Sequence, residues 1–280
     1  MLGEDKVFAA LLIALRAWAV GVLGVSQQEF LSSAGLRHDE LEDPDALVAY
    51  DSLIGAWAEL IRRFPERPLG MEYGQLVDAS ALGVVGVTIL NARDVRAMVE
   101  RMMRFQRIAD PHFEVNLEHG DEVSVITFDH EDRVQALGEI MEMFLTSFIH
   151  NTRTCTARAI RPLRVDVAHP RRHPLSVYEE VWGAPVRFEQ PKHALWFETE
   201  LLATPVLSAD PAAGRYLERY LESMMPQEDL RIVSSTEELS VRAKVRAHIL
   251  ATLSTGDVDQ HSVADALGVS TRTMQRRLGA

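Results

Sequence analysis

A single cysteine in 280 residues leaves no intramolecular disulfide framework and no thiolate metal cluster, and it fits a chain kept in a reducing cytoplasm. Positive charge is also scarce. Twenty-nine lysines and arginines stand against 41 acids, a formal charge of −12, which as a whole-chain average argues against a nucleic-acid binder. There is no internal repeat and no low-complexity tract. Val7 to Val25 is apolar enough to suggest a membrane span, but Glu4 and Asp5 precede it and Arg16 interrupts it. A buried amphipathic helix is expected there, with no span and no signal peptide. Leu82-Gly-Val-Val-Gly86 lacks the setting of a phosphate-cradling loop. His169 and His173 are four apart, but Pro170 and Pro174 forbid a helical ligand pair, and His112, His119 and His130 surround a turn. No metal and no cofactor is expected. No nucleophile–base or metal constellation marks a catalyst, so the chain reads as not an enzyme.

What is present is ordinary in bulk and uneven in distribution. At 47% hydrophobic and 25% charged, the chain has material for a sizeable core and for one large domain or two ordinary ones. From Asp229 to Ala280 six acids face seven bases, a net of +1, and the preceding 228 residues carry −13. Two domains of different electrostatic character follow from that split.

Helical spacing dominates the first ninety-odd residues. Phe30 to Ala34 reads as a short helix closed by Gly35, followed by an acidic loop from Asp39 to Asp45. Ala46 to Phe64 reads as another helix, stopped by Pro65 and Pro68, and Val95 to Ile108 as a third. The period then changes. Phe113 to Phe128 alternates around a His119–Glu122 turn, as a β-hairpin does. Asp132 to about Arg158 returns to helix and Leu163 to Ala168 is a strand. Ser176 and Glu179 have capping-box spacing at the start of a helix closed by Gly183. Val186–Glu189 and Ala194–Glu198 read as a second strand pair across Gln190-Pro-Lys192. The expected class is α+β: N-terminal helices plus a mostly antiparallel sheet in the order ββαβαββ, over residues 1–227. A polar linker over 228–238 and an all-α segment over 239–280 complete the chain.

The all-α segment carries the most informative motif. In Ser262 to Leu278, Val263, Ala264 and Leu267 give a first helix its apolar face, Gly268 suits a tight turn, and Ser270 caps a second helix. Met274 and Leu278 point into the core, while Arg272, Gln275 and Arg276 share an exposed face. Arginine reads guanine and glutamine reads adenine in the major groove. Ser270, Thr271, Thr273 and Arg277 suit phosphate and sugar contacts at the same helix.

These residues carry a resemblance. Ala-Asp-Ala-Leu-Gly-Val-Ser-Thr-Arg-Thr-Met-Gln-Arg-Arg-Leu, residues 264 to 278, resembles the first helix-turn-helix of AraC/XylS-type transcription regulators, and Val241 to Leu253 resembles the helix before it. Phe188 to Phe197, Leu201 to Pro211 and Phe30 to Leu36 resemble parts of the "arabinose-binding" sensor domain found in one branch of that family. The resemblance spans nearly the whole chain. It implies DNA as a partner, a small-molecule effector and a homodimer, and it puts Arg272, Gln275 and Arg276 in base-contacting places. Family members have two helix-turn-helices, and only the first is matched before Ala280. The expectation is therefore a C-terminally truncated regulator whose DNA binding is partial. Two rival readings are a truncated protein that pairs with full-length regulators and an enzyme with an unrecognised site.

For the effector, polar residues on otherwise apolar helices are the pointers: Arg104 beside Met102 and Met103, and His150, Asn151 and Arg153 beyond Met141, Phe144, Leu145 and Phe148. A methionine- and aromatic-lined pocket with one or two such groups suits a small molecule. The element order also resembles gas-sensing haem domains of the H-NOX type. No proximal histidine lies between Met98 and Arg107, so no haem is implied.

Overall fold

Helical periodicity in the first half and strand alternation in the middle both persist in the computed structural model, which describes residues 6–207, 209–225 and 271. The chain clusters into two units, Met1–Met224 and Met225–Ala280, and the architecture that follows is that of the first.

Strand β1 (Lys6–Phe8) runs into helix α1 (Ala9–Gly21), and α2 (Gln27–Ala34) follows. A capping box starts α2: Ser26 Oγ accepts from the Glu29 N–H at 3.2 Å, and Glu29 Oε2 accepts from the Ser26 N–H at 2.9 Å. Two orphan donors are thereby satisfied. Gly35 closes the helix at φ 64°, as its sequence position implies. Next come β2 (Leu47–Ala49) and α3 (Tyr50–Arg63). The expected single helix over Ala46–Phe64 is thus shorter, because its first residues pair with β1, Val7 opposite Val48. Strands of three residues carry too little alternation to be seen in a sequence.

Helices α4 (Leu69–Gly74), α5 (Val84–Leu90) and α6 (Val95–Ala109) lead to the hairpin of β3 (Glu114–Glu118) and β4 (Val123–Asp129), with Val115 opposite Phe128. The expected long helix after it is divided into α7 (Asp132–Leu137) and α8 (Glu139–Thr156). Gly138 makes the break at φ 67°, with the Arg172 guanidinium packed 2.7 Å from where a Cβ would stand.

The remaining elements are β5 (Arg164–Asp166), α9 (Leu175–Trp182), β6 (Val186–Arg187), β7 (His193–Glu198) and α10 (Pro211–Met224). The five-stranded sheet has the order β3-β4-β7-β5-β6. It is antiparallel except for β5 and β6. The α+β class with a mostly antiparallel sheet therefore holds, but the expected β6–β7 hairpin does not. β7 pairs with β4 and β5, and β6 lies on the far side of β5, parallel to it. Parallel neighbours need a crossover, and α9 supplies it. The Ser176–Glu179 capping box is also absent: α9 begins at Leu175 behind Pro174 with no side-chain cap.

The core is aromatic, with Trp57, Trp182, Tyr50, Tyr178, Phe30 and Phe105 fully buried. Helix α4 lies against α8 through Gly70 and Gly74. No helix among the described residues is long and apolar enough to cross a membrane.

Candidate ligand-binding site

Helices α1, α3, α5, α6 and α8 surround a cavity of about 140 Å³. Its wall is Leu15, Trp57, Tyr73, Met98, Met102, Met143, Phe144 and Phe148, with Phe113 and Phe128 from the sheet side. The amphipathic pattern of α6 brings Met98 and Met102 here, and the apolar face of α8 brings Met143, Phe144 and Ser147. A cavity of this size with a largely apolar lining has room for a benzene-sized molecule. Methionine adapts the wall to an irregular ligand.

Few polar groups reach this space. Gln106 lies in the wall, 8% exposed, and its Oε1 is buried with no hydrogen-bond partner among the described residues. Asp110, His130 and Tyr50 form a chain beside it. The Glu131 N–H donates to His130 Nδ1 at 2.9 Å, so the ring proton sits on Nε2, 3.1 Å from Asp110 Oδ2 and 3.2 Å from the Tyr50 hydroxyl. Burial, reinforced by the Asp110 carboxylate, pushes the Tyr50 hydroxyl far above its usual range. Asp78, the second carboxylate of the wall, also has a partner. The carboxylates and the histidine of the lining are therefore engaged, and the buried polar atom left without a partner there is a neutral amide oxygen.

Of the four residues expected to meet an effector, the structure brings one to the cavity. Asn151 is in the wall. It accepts from the Ala79 N–H at 3.1 Å and donates to Val77 O at 3.2 Å and Ser147 O at 2.8 Å, which ties the 77–79 segment of the wall to α8. Arg104 pairs with Glu222 of α10 at 2.6 Å. His150 is half-buried on α8, outside the cavity wall. Arg153 donates to the carbonyls of Ile160, Val181 and Trp182 at 2.7, 3.1 and 2.8 Å, tying α8 to the end of α9. Arg153→Ala is expected to lower stability by about 2 kcal/mol, since charge-assisted bonds are lost and partly buried carbonyls are left bare. Urea unfolding measures this, and a change below about 0.5 kcal/mol would show that water replaces the guanidinium fully.

A second polar cluster lies on the opposite face of α8. Glu139 and Glu142, one turn apart, meet His169, His173 and Tyr178. His173 Nε2 is 3.0 Å from Glu139 Oε1, and the Tyr178 hydroxyl donates to Glu142 Oε1 at 2.8 Å. Burial and the neighbouring Glu139 push the Glu142 carboxyl well above the carboxylate range. Burial pulls His169 down and His193 down to about 3. Neither Gln106 nor the two glutamates was singled out from the sequence. The available signal was an acid pair at i, i+3 on the apolar side of a helix that continues to Leu145 and Ile149.

The predicted DNA-contacting residues Ser270, Arg272, Thr273, Gln275, Arg276 and Arg277 lie outside the described residues, as does the 228–238 linker. Thr271 is described, and it is helical.

Comparison with known proteins bears on the whole chain. Residues 24–206 match the arabinose-binding domain of AraC transcription regulators, the N-terminal domain of those proteins. The ornithine utilization regulator of Pseudomonas aeruginosa is 25% identical over 264 residues, covering 93% of this chain and 75% of its own. The HTH-type transcriptional regulator VirS of Mycobacterium tuberculosis is 25% identical over 254 residues, covering 88% and 69%. The crystal structure of the transcriptional regulator CdpR from Pseudomonas aeruginosa superposes with a TM-score of 0.53 at 18% identity, over 90% of this chain and 76% of that one. That last likeness is one of fold.

Proposed function

Because the chain belongs to the AraC transcription regulators that carry the arabinose-binding N-terminal domain, a family of regulators and not of enzymes, we propose that it is a ligand-responsive DNA-binding regulator. Residues 1–227 sense the effector, 228–238 link, and 239–280 carry a helix-turn-helix. The observation that carries the reading is the apolar cavity enclosed within the family's sensor domain. Effector binding there favours one of two conformations of the sensor and so changes operator affinity.

The wall supports a small, mostly apolar effector with one donor group for Gln106. A sugar or a zwitterionic amino acid would bury several hydroxyls or two charges against aromatic and methionine side chains, and each unmade hydrogen bond costs about 1–3 kcal/mol. The relative named for ornithine utilization supports a small metabolite in general terms, while the lining argues against a charged one here. Tyr216, Tyr220 and Met224, spaced by four along α10 and 67%, 51% and 43% exposed, form an apolar stripe that supports a homodimer.

On the DNA side, Arg272, Gln275 and Arg276 read bases, while Ser270, Thr271, Thr273 and Arg277 hold the backbone. Fluorescence anisotropy with operator DNA, with and without a panel of small aromatic and alkyl compounds, tests the proposal. Arg276→Ala is expected to cost about 1–3 kcal/mol and to relax preference at one base pair. Uniform weakening on every sequence would make Arg276 a phosphate contact. Operator affinity unchanged by every compound would remove the ligand-responsive reading.

A further inference from the structure

Glu139 and Glu142 on α8 and His169 and His173 on the segment between β5 and α9 converge in the interior, with residue exposures of 3%, 0%, 8% and 8%. Among the described residues, neither carboxylate forms an ion pair with lysine or arginine. Arg172 acts on Glu142 only from a distance, and two carboxylates buried side by side without a directly paired cation are costly.

The tautomers sharpen the difficulty. His169 Nδ1 lies 2.9 Å from the Pro170 carbonyl oxygen, which can only accept, so Nδ1 holds the proton and Nε2 of the neutral ring presents its lone pair. That lone pair is 3.5 Å from Glu142 Oε1. Nε2 of His169 and Oε2 of Glu142 are both buried with no hydrogen-bond partner. With Glu142 ionised, acceptors thus face one another with no donor or cation between them.

The distances are those of a coordination shell. Ligand atoms of Glu139, Glu142 and His173 all lie within 4.8 Å of one another. Bonds of about 2.0–2.2 Å to nitrogen and carboxylate oxygen place neighbouring tetrahedral ligands roughly 3.3–3.5 Å apart. The two His–Glu pairs, at 3.0 and 3.5 Å, bracket that value. Outer hydrogen bonds hold the set as they do in metal sites: the Gly70 N–H to Glu139 Oε2 at 2.8 Å, the Tyr178 hydroxyl to Glu142, and His169 Nδ1–H to Pro170 O.

We propose that Glu139, Glu142 and His173 bind one divalent transition-metal ion of the zinc class, with His169, 3.5 Å from Glu142, turning in to close the fourth position. Two carboxylates and two neutral imidazoles around such an ion sum to zero charge, whereas one proton shared by the carboxyls leaves a buried negative charge and the His169 lone pair unused. Two nitrogens and two oxygens suit zinc or its first-row neighbours better than magnesium or calcium. Four protein ligands make a closed, structural site that fastens α8 to the segment before α9.

The test uses the full chain, prepared without chelator and dialysed against Zn²⁺ or Co²⁺. About one equivalent of zinc per chain is expected to remain by elemental analysis, and Co²⁺ is expected to give the visible absorption of a four-coordinate ion. Glu142→Gln and His173→Gln should each weaken binding about tenfold or more, while His38→Gln, at an exposed position, should leave it unchanged. Should either cluster variant fail to fold, the wild-type Co²⁺ spectrum decides alone. A folded wild-type chain that retains no zinc and shows no Co²⁺ band has only a shared proton at this place, and the proposal falls. Equal loss of metal in His38→Gln would assign the binding to surface histidines and overturn it as well.

Discussion

Gly70→Ala is expected to destabilise the N-terminal unit by about 3–5 kcal/mol, a large part of the stability of an ordinary domain. A Cβ at this position would stand 1.9 Å from the backbone oxygen of Glu139 and 3.1 Å from its Cα. The obstacle is backbone, so no rotamer change relieves it, and α4 must move off α8. Movement would also break the Gly70 N–H bond to Glu139 Oε2. Gly74, four residues on, faces α8 in the same way: a Cβ there would meet Thr146 Cβ at 2.7 Å and Met143 O at 2.8 Å. A six-residue helix has little stability of its own, so this contact is what α4 depends on. Gly21→Ala is the control. No atom lies within 4 Å of its Cβ position, so the change should be neutral or stabilising by up to about 1 kcal/mol. Thermal or urea unfolding of the two variants decides, and Gly70→Ala within about 0.5 kcal/mol of wild type would show that α4 packs less closely than described.

Ala109→Phe is expected to abolish effector binding, lowering affinity by about a hundredfold or more, roughly 2.7 kcal/mol. Ala109 ends α6, is 4% exposed and belongs to the cavity wall, so a phenyl ring there occupies the space an effector would take. The void accepts the added volume, and the cost in stability should stay below about 2 kcal/mol. Gln106→Leu separates blocking from recognition. It removes a buried acceptor that lacks a partner, so it should stabilise the unliganded chain by about 1 kcal/mol while weakening only those effectors that carry a donor. Calorimetric titration with small aromatic alcohols and their hydroxyl-free analogues reads both effects. A wild-type response in Ala109→Phe would place the effector elsewhere.

The elements that sequence reasoning placed well are those with strong local cues. Gly35 closes α2, and the β3–β4 hairpin follows alternation around a polar turn. The misplaced features were decided by partners distant in sequence. Leu47–Ala49 became a strand because β1 lies beside it. β6 left β7 because β5 pairs with both. The cavity was legible as a kind of lining, methionine and aromatic, but not as a set of polar contacts. Arg104 and Arg153 stood out as charges on apolar helices, and they proved to be engaged with Glu222 and with three carbonyls. Gln106 did not stand out, since one glutamine on an amphipathic helix looks like its solvent face until the helix is packed.

The order of residues alone determined the kind of protein: helices before a mostly antiparallel sheet, an acidic sensor segment, and motifs that place the chain among AraC-type regulators. These follow from local periodicity, turn chemistry and short motifs, which need no knowledge of what lies opposite. The tertiary structure decided which side chains share a space. The spacing of His169 and His173 was set aside because prolines bar a helical pair between them. Folding instead brings Glu139 and Glu142, about thirty residues earlier, against those histidines. A binding site is a matter of convergence in three dimensions, and its burial, orphaned acceptors and interatomic distances come into being only when α8 and the segment before α9 close on one another.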